Sequence, residues 1–247
     1  YGNSEAVLGQ ALRELGRQGA MRVVTKVAHL REAAADPKTA RAAIQASVAR
    51  SRERLQEDVL PLCLFHREED ARYLDVLADL REQGRLRAFG CSLMTPEALL
   101  GLVANPELDA VQVPLSVLDR RFIRSGAVAR AAERGIAVFA RSVFVQGLLL
   151  LPADRVPEPL GELLPVRARL EALAEEAGLS LGELALRAVL SEPGVRCVVV
   201  GAEAELQVRE SAAWAARGAL EPALAAAVRE AVPELPDRLV VPHRWPK

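Results

Sequence analysis

Short apolar runs alternate along this chain with stretches whose apolar residues recur at helical spacing. The runs predict strands over residues 22–26, 61–65, 87–92, 110–114, 137–140 and 196–200. Several are almost continuously apolar, as strands covered on both faces are. Strands separated by helices are the pattern of an α/β fold with a parallel sheet. After Ser4, the positions Val7, Leu8, Ala11, Leu12 and Leu15 form a helical repeat that Gly16 and Gly19 end. Asp36 predicts a helix cap with Pro37 in the first turn, and Ile44, Val48 and Leu55 its buried stripe. Thr95-Pro96-Glu97 starts a helix the same way, and Leu74, Leu77 and Leu80 stripe one that Gly84 closes. Beyond the strand at 137–140 the alternation breaks, and helices over 166–176 and 181–190 follow one another. The second opens on a capping box of Ser180 and Glu183. Residues 148–165, rich in leucine and proline, form the longest loop-like stretch, one that would overhang the active rim of a barrel.

Two of the predicted strands end on residues suited to proton chemistry. Val23-Val24-Thr25-Lys26 stops on a lysine, and Leu62-Cys63-Leu64-Phe65-His66 on a histidine. In parallel sheets the carboxyl ends of the strands carry the active sites. Tyr1, at the head of Tyr1-Gly2-Asn3-Ser4-Glu5, adds a third proton carrier before the first helix. Lys26 also admits a Schiff-base reading, as in a barrel lyase. His29 and His243 read as surface residues.

Composition narrows the classes. The 247 residues are 51% hydrophobic, ample for a sizeable core, and residues 1–247 read as a single domain. Lys plus Arg number 32 and Asp plus Glu 33, a net charge of −1 with no basic stripe, so nucleic acid is not an expected partner. No apolar stretch approaches the ~20 residues that cross a bilayer, and no membrane partner is expected. Cys63, Cys91 and Cys197 lie far apart and read as buried, reduced thiols of a cytoplasmic protein, with no metal site. No G-x-G-x-x-G follows a strand, so a Rossmann nucleotide site has no support.

The ordered series of strand ends resembles the aldo-keto reductase family. Tyr1-Gly2-Asn3-Ser4-Glu5-Ala6-Val7-Leu8-Gly9 resembles its segment of catalytic tyrosine, glycine and Ser-Glu helix start. Val23-Val24-Thr25-Lys26 and Leu62-Cys63-Leu64-Phe65-His66-Arg67 resemble the strands ending on its lysine and histidine. Arg87-Ala88-Phe89-Gly90-Cys91-Ser92 is similar to its Gly-Val-Ser-Asn strand, and Val111-Gln112-Val113-Pro114 to its glutamine strand. Gly135-Ile136-Ala137-Val138-Phe139-Ala140-Arg141-Ser142 resembles the strand that carries the nicotinamide-stacking position. Val200-Gly201-Ala202, with Gln207 and Glu210, resembles the last strand and cofactor clamp. Leu118-Asp119-Arg120-Arg121 and Arg141-Ser142-Val143-Phe144 point to a bacterial subgroup.

The resemblance implies a (β/α)8 TIM barrel whose N-terminal strands 1 and 2 are absent from this chain, along with the aspartate that ends the second. It implies oxidoreductase activity, a hydride passing between NADP(H), with NAD(H) as the alternative, and a small aldehyde, ketone or sugar. Tyr1 would be the general acid, Lys26 would lower its pKa and His66 would orient the carbonyl. Ser92 and Gln112 would hold the carboxamide and Arg141 would stack on the ring. Ser142, Gly201, Ala202, Gln207, Glu210 and Ser211 would contact the pyrophosphate and adenosine. Leu93 stands where the family commonly has asparagine, and Ser211 replaces another. No Lys or Arg occupies the matched 2′-phosphate positions, although Arg209 is close by in sequence. A non-catalytic nicotinamide-binding or regulatory protein on the same fold is the alternative.

Overall fold

A computed structural model describes residues 2–245. Tyr1, the expected general acid, lies outside the described residues. Among the described residues, hydrogen-bonded strands follow chain order in one six-stranded sheet. The chain forms two compact units, residues up to Val111 and residues from Gln112 onward.

The first unit comprises α1 (Ser4–Glu14), β1 (Val24–Lys26), α2 (Pro37–Leu55), β2 (Leu62–Phe65), α3 (Leu74–Glu82), β3 (Phe89–Ser92), α4 (Pro96–Leu102) and the start of β4 (Ala110–Pro114). Each predicted strand of this unit is present; the first three start one or two residues later than predicted, and β4 begins where predicted. The caps form as the sequence predicts. Asp36 accepts the Thr39 N–H at 2.8 Å, Thr95 Oγ1 accepts that of Ala98 at 3.3 Å, and proline follows each cap. Such a cap typically stabilises a helix by about 1 kcal/mol. Ile44, Val48 and Leu55 are buried, as are Leu74, Leu77 and Leu80.

The stripe of α1 behaves differently. Val7 and Leu8 are exposed, and Leu15 just beyond the helix is 71% exposed, while Gly9 and Leu12 are buried. Gly9 explains the rotation: a Cβ there would lie 2.4 Å from the Arg54 carbonyl oxygen. The helix turns its one bare position onto α2.

Strands β1, β2 and β3 pair in parallel, with Lys26 opposite Leu64 and Leu64 opposite Gly90. A Cβ on Gly90 would sit 1.7 Å from the Ala110 carbonyl oxygen and 3.1 Å from the Leu64 side chain. Only glycine lets these backbones approach so closely.

The second unit holds the rest of β4, α5 (Arg121–Arg124), α6 (Ala127–Glu133), β5 (Ala137–Arg141), α7 (Leu164–Glu176), α8 (Leu181–Leu190), β6 (Val195–Val199), α9 (Glu205–Ala216), α10 (Pro222–Ala231) and α11 (Asp237–Val240). Strands β5 and β6 are parallel, with an irregularity between Val138 and Phe139. Residues 148–165 are more ordered than a loop: they coil into short 3-10 turns that bury Leu148, Leu149, Leu160 and Leu163, and Leu164 and Pro165 open α7.

The capping box at α8 is half formed. Ser180 Oγ accepts the Glu183 N–H at 3.1 Å, but the Glu183 carboxylate turns away from the cap. Buried, it accepts from Arg187 and Arg217, each at 2.9 Å. Arg187 also donates to the carbonyls of Gly218 and Ala219 at 3.0 Å, so the pair ties α8 to the end of α9. A paired arginine offers a buried carboxylate more than one backbone N–H could. The Leu118–Arg121 motif is likewise a clamp: buried Asp119 accepts two bonds from Arg121, both at 2.9 Å.

Gly90→Ala is expected to destabilise the protein by about 2–4 kcal/mol through overpacking against backbone. Urea unfolding of both forms checks this; a change under about 0.5 kcal/mol would mean that the backbones part easily.

Candidate active site

Pleat parity decides which side chains share a face. Register partners on parallel strands point the same way, and so do residues two apart on one strand. Lys26 pairs with Leu64, and Leu64 with Gly90. His66 lies two residues beyond Leu64 and Ser92 two beyond Gly90. Lys26 and Ser92 therefore belong to one face at the carboxyl ends of their strands, and continued alternation puts His66, the first residue past β2, on the same side. The opposite face carries Thr25, Cys63 and Cys91.

Hydrogen bonds from the flanking helices fix this rim. Thr25 Oγ1 donates to Glu5 Oε1 of α1 at 2.5 Å, one residue before Lys26. Glu5 also lies 3.6 Å from Arg54 of α2. The Val27 N–H donates to the Leu64 carbonyl at 2.9 Å, and the Ala28 N–H to Ser47 Oγ of α2, also at 2.9 Å. Glu68, just after His66, accepts the Met94 N–H at 2.8 Å and that of Thr95 at 3.3 Å. Its carboxylate thus ties the loop after β2 to the loop after β3.

His66 Nδ1 lies 3.2 Å from the Val27 carbonyl oxygen. Its half-buried position pushes its pKa below the usual histidine range; the Val27 contact opposes this, and the nearby Lys26 and His29 add to it. The His29 ring lies against the His66 ring, centroids 4.4 Å apart and planes tilted by 35°. His29 is solvent-exposed, as expected, yet it belongs to the rim. Its position three residues after Lys26, just past the strand end, was the signal that could have marked it.

Burial disfavours the thiolate form at all three cysteines. Burial, reinforced by Glu5, pushes the Cys63 thiol up to about 12, and burial with Asp70, Glu68 and Glu69 nearby does the same for Cys91. Cys197 is only half buried, contrary to expectation, because β6 itself is partly exposed, and its pKa is raised by burial alone. All three are free, and among the described residues no cluster of His, Cys, Asp and Glu could hold a metal ion.

The second unit carries the other expected positions. Gln112 is buried on β4. Arg141 ends β5, half buried, and its Nη1 donates to Ser142 Oγ at 3.3 Å. Ser142 has φ 62°, and Val145, Gln146 and Gly147 also adopt positive φ. A left-handed conformation is rare for a β-branched valine, so this loop is held by its surroundings. Gly201 and Ala202 are exposed, and α9 starts at Glu205, capped at Ala204, later than a helix opening straight after Gly201. Gln207 serves that helix, its Oε1 accepting the Glu203 N–H at 2.7 Å. Glu210 is exposed and Ser211 half buried. Arg209 pairs with Glu205 at 2.6 Å.

In the first unit buried Ser92, and in the second buried Gln112, are each the kind of group that can hold a carboxamide, and Arg141 of the second unit offers a planar cation. The 201–211 segment offers exposed backbone, with one N–H already taken by Gln207.

The profile of the Aldo/keto reductase family matches residues 1–232, and the chain belongs to that family. It is 26% identical over 245 residues to an NADH-specific methylglyoxal reductase of Escherichia coli (strain K12), over 86% of this chain and 74% of that protein. It is 28% identical over 191 residues to a D-threo-aldose 1-dehydrogenase of a Pseudomonas species, over 70% of this chain and 57% of that one. The chain thus matches less than two thirds of the second relative's length. The fold superimposes on the holo form of an aldo-keto reductase from Bacillus halodurans with a TM-score of 0.78 at 23% identity, covering 98% of this chain and 81% of that one.

Iodoacetamide at neutral pH is expected to leave Cys63 and Cys91 unmodified in the folded protein and to label both in urea, read by peptide mass spectrometry. Labelling of either in the native state would show that it is not buried.

Proposed function

We propose that this chain is a nicotinamide-dependent carbonyl reductase, running in reverse as an alcohol dehydrogenase. The supporting observation is the shared face of Lys26, His66 and Ser92 at three adjacent strand ends. The proposal includes a (β/α)8 barrel in which further strands complete the sheet; β1 is an edge strand whose Val24 is 38% exposed.

Carbonyl reduction takes a hydride to carbon, which the bound nicotinamide supplies, and a proton to oxygen. In this reading Tyr1 gives the proton. A phenol has a reference pKa of ~10, too high for ready donation at neutral pH. A neighbouring ammonium favours the phenolate and lowers that value, the role proposed for Lys26. His66 holds the reacting oxygen. Gln112 and Ser92 bind the carboxamide, Arg141 stacks, and Ser142, Gly201, Ala202, Gln207, Glu210 and Ser211 line the dinucleotide. The family resemblance implies NADP(H). Against this, Arg209 is the nearby candidate for a 2′-phosphate and already pairs with Glu205. One relative is NADH-specific by name. We therefore expect NADH to bind at least as tightly as NADPH. The three free thiols fit a reducing, cytoplasmic setting.

Titrating the protein with NADH and NADPH, with tryptophan fluorescence as the signal, tests binding; turnover of a panel of small aldehydes, ketones and sugars tests chemistry. Lys26→Met should keep cofactor affinity and lower kcat at least about 100-fold. Saturable binding without turnover of any carbonyl would favour the non-catalytic alternative, and no binding of either cofactor would refute both.

A further inference from the structure

One charged cluster of the second unit has no part in the chemistry assigned above. It lies where the loop after β4, the end of α8 and the last turn of α10 meet. Arg120 comes from the loop, Glu192 from just past α8 and Arg229 from α10. The Arg120 and Glu192 side chains are only 15% and 11% exposed. The three line a cavity of about 10 Å3, walled also by Val117, Val189 and Val228.

These polar groups do not satisfy one another. Arg120 Nη1 donates to the Arg229 carbonyl at 3.2 Å. Its Nε is buried and has no hydrogen-bond partner among the described residues. Glu192 Oε1 lies 4.0 Å from Arg120 Nη2 and 3.8 Å from Arg229 Nη1. Direct N–H to oxygen bonds end near ~3.2 Å, so both ion pairs are stretched. A buried charged donor without an acceptor is costly, which makes an acceptor beside Nε favourable.

Charge decides what that acceptor is. Burial disfavours the charged form of Arg120; Glu192 opposes this, and Arg124 and Arg229 add to it. One carboxylate thus faces three arginines, and the cluster carries an excess of positive charge. A water molecule would accept from Nε but leave that excess in place, whereas an anion answers both. Size narrows the choice further. About 10 Å3 holds one water-sized particle, which excludes a phosphate or a carboxylate. Arg229, 37% exposed, is the wall able to shift for a single ion somewhat larger than water. The valines select against a strongly hydrated ion such as fluoride, which loses most on leaving water.

We propose that this cavity binds a single chloride ion, which accepts from Arg120 Nε and lies between the arginines of the β4 loop and of α10. The ion ties that loop to α8 and α10 and stabilises the second unit. The site is separate from the reductase reading and stands or falls without it.

The test compares thermal unfolding of the full chain in sodium chloride, fluoride and gluconate at equal ionic strength, and adds a crystal grown in bromide. Chloride should raise the melting temperature saturably, by about 2–4 °C beyond gluconate, and fluoride should not. Bromide should give an anomalous peak within hydrogen-bond reach of Arg120 Nε. Glu192→Gln removes the competing negative charge and should lower the half-saturating chloride concentration at least about threefold. Arg120→Met should abolish the chloride-specific rise. A water in place of bromide beside Nε would overturn the proposal, as would equal melting temperatures in chloride and gluconate. A bromide peak without any chloride-specific rise would mark an adventitious ion only, and would overturn it too. Should Arg120→Met not fold, Glu192→Gln decides: an unchanged or higher half-saturating concentration refutes the site.

Discussion

The candidate site depends on one constraint, the parallel register of β1, β2 and β3. Because Lys26 faces Leu64 and Leu64 faces Gly90, alternation along each strand puts a cation, an imidazole and a hydroxyl on one side. A slip of one residue in β2 would send His66 to the opposite face. The register is guarded by bulk where Leu64 reaches across and by the lack of it at Gly90, whose neighbour is the backbone of Ala110. Glu5 adds a polar lock, reaching from α1 to Thr25 beside the lysine.

Much of the fold was legible in the sequence because local chemistry and burial agreed there. The strands are runs of apolar residues that the sheet buries, and the caps at Asp36 and Thr95 need nothing beyond their own turn. The failures share a cause: a partner distant in sequence changed the outcome. Glu183 looked like half of a capping box until Arg217, far along the chain, made the better bond. The apolar stripe of α1 gave way to a glycine that needed the backbone of α2. His29 looked like a surface residue, which it is, but no local pattern says which ring it rests against.

For the proposed site, the positions of the strand ends were legible, and the structure of the segment proposed to meet the cofactor was less so. Lys26, His66 and Ser92 follow from counting along strands. The 201–211 segment could not be read that way, because its polar groups satisfy one another. Gln207 bonds to the Glu203 N–H, and Arg209 bonds to Glu205. A dinucleotide bound there would have to compete with contacts that already exist.

The bond network of Glu68 limits how this rim could be remodelled. One carboxylate receives N–H groups from the turn after the neighbouring strand, so the two loops share a single anchor. Neither can be lengthened, grafted or bent around a bulkier guest without disturbing the other. Anyone reshaping specificity here should exchange both segments as one cassette, or first supply a substitute acceptor for the orphaned amides.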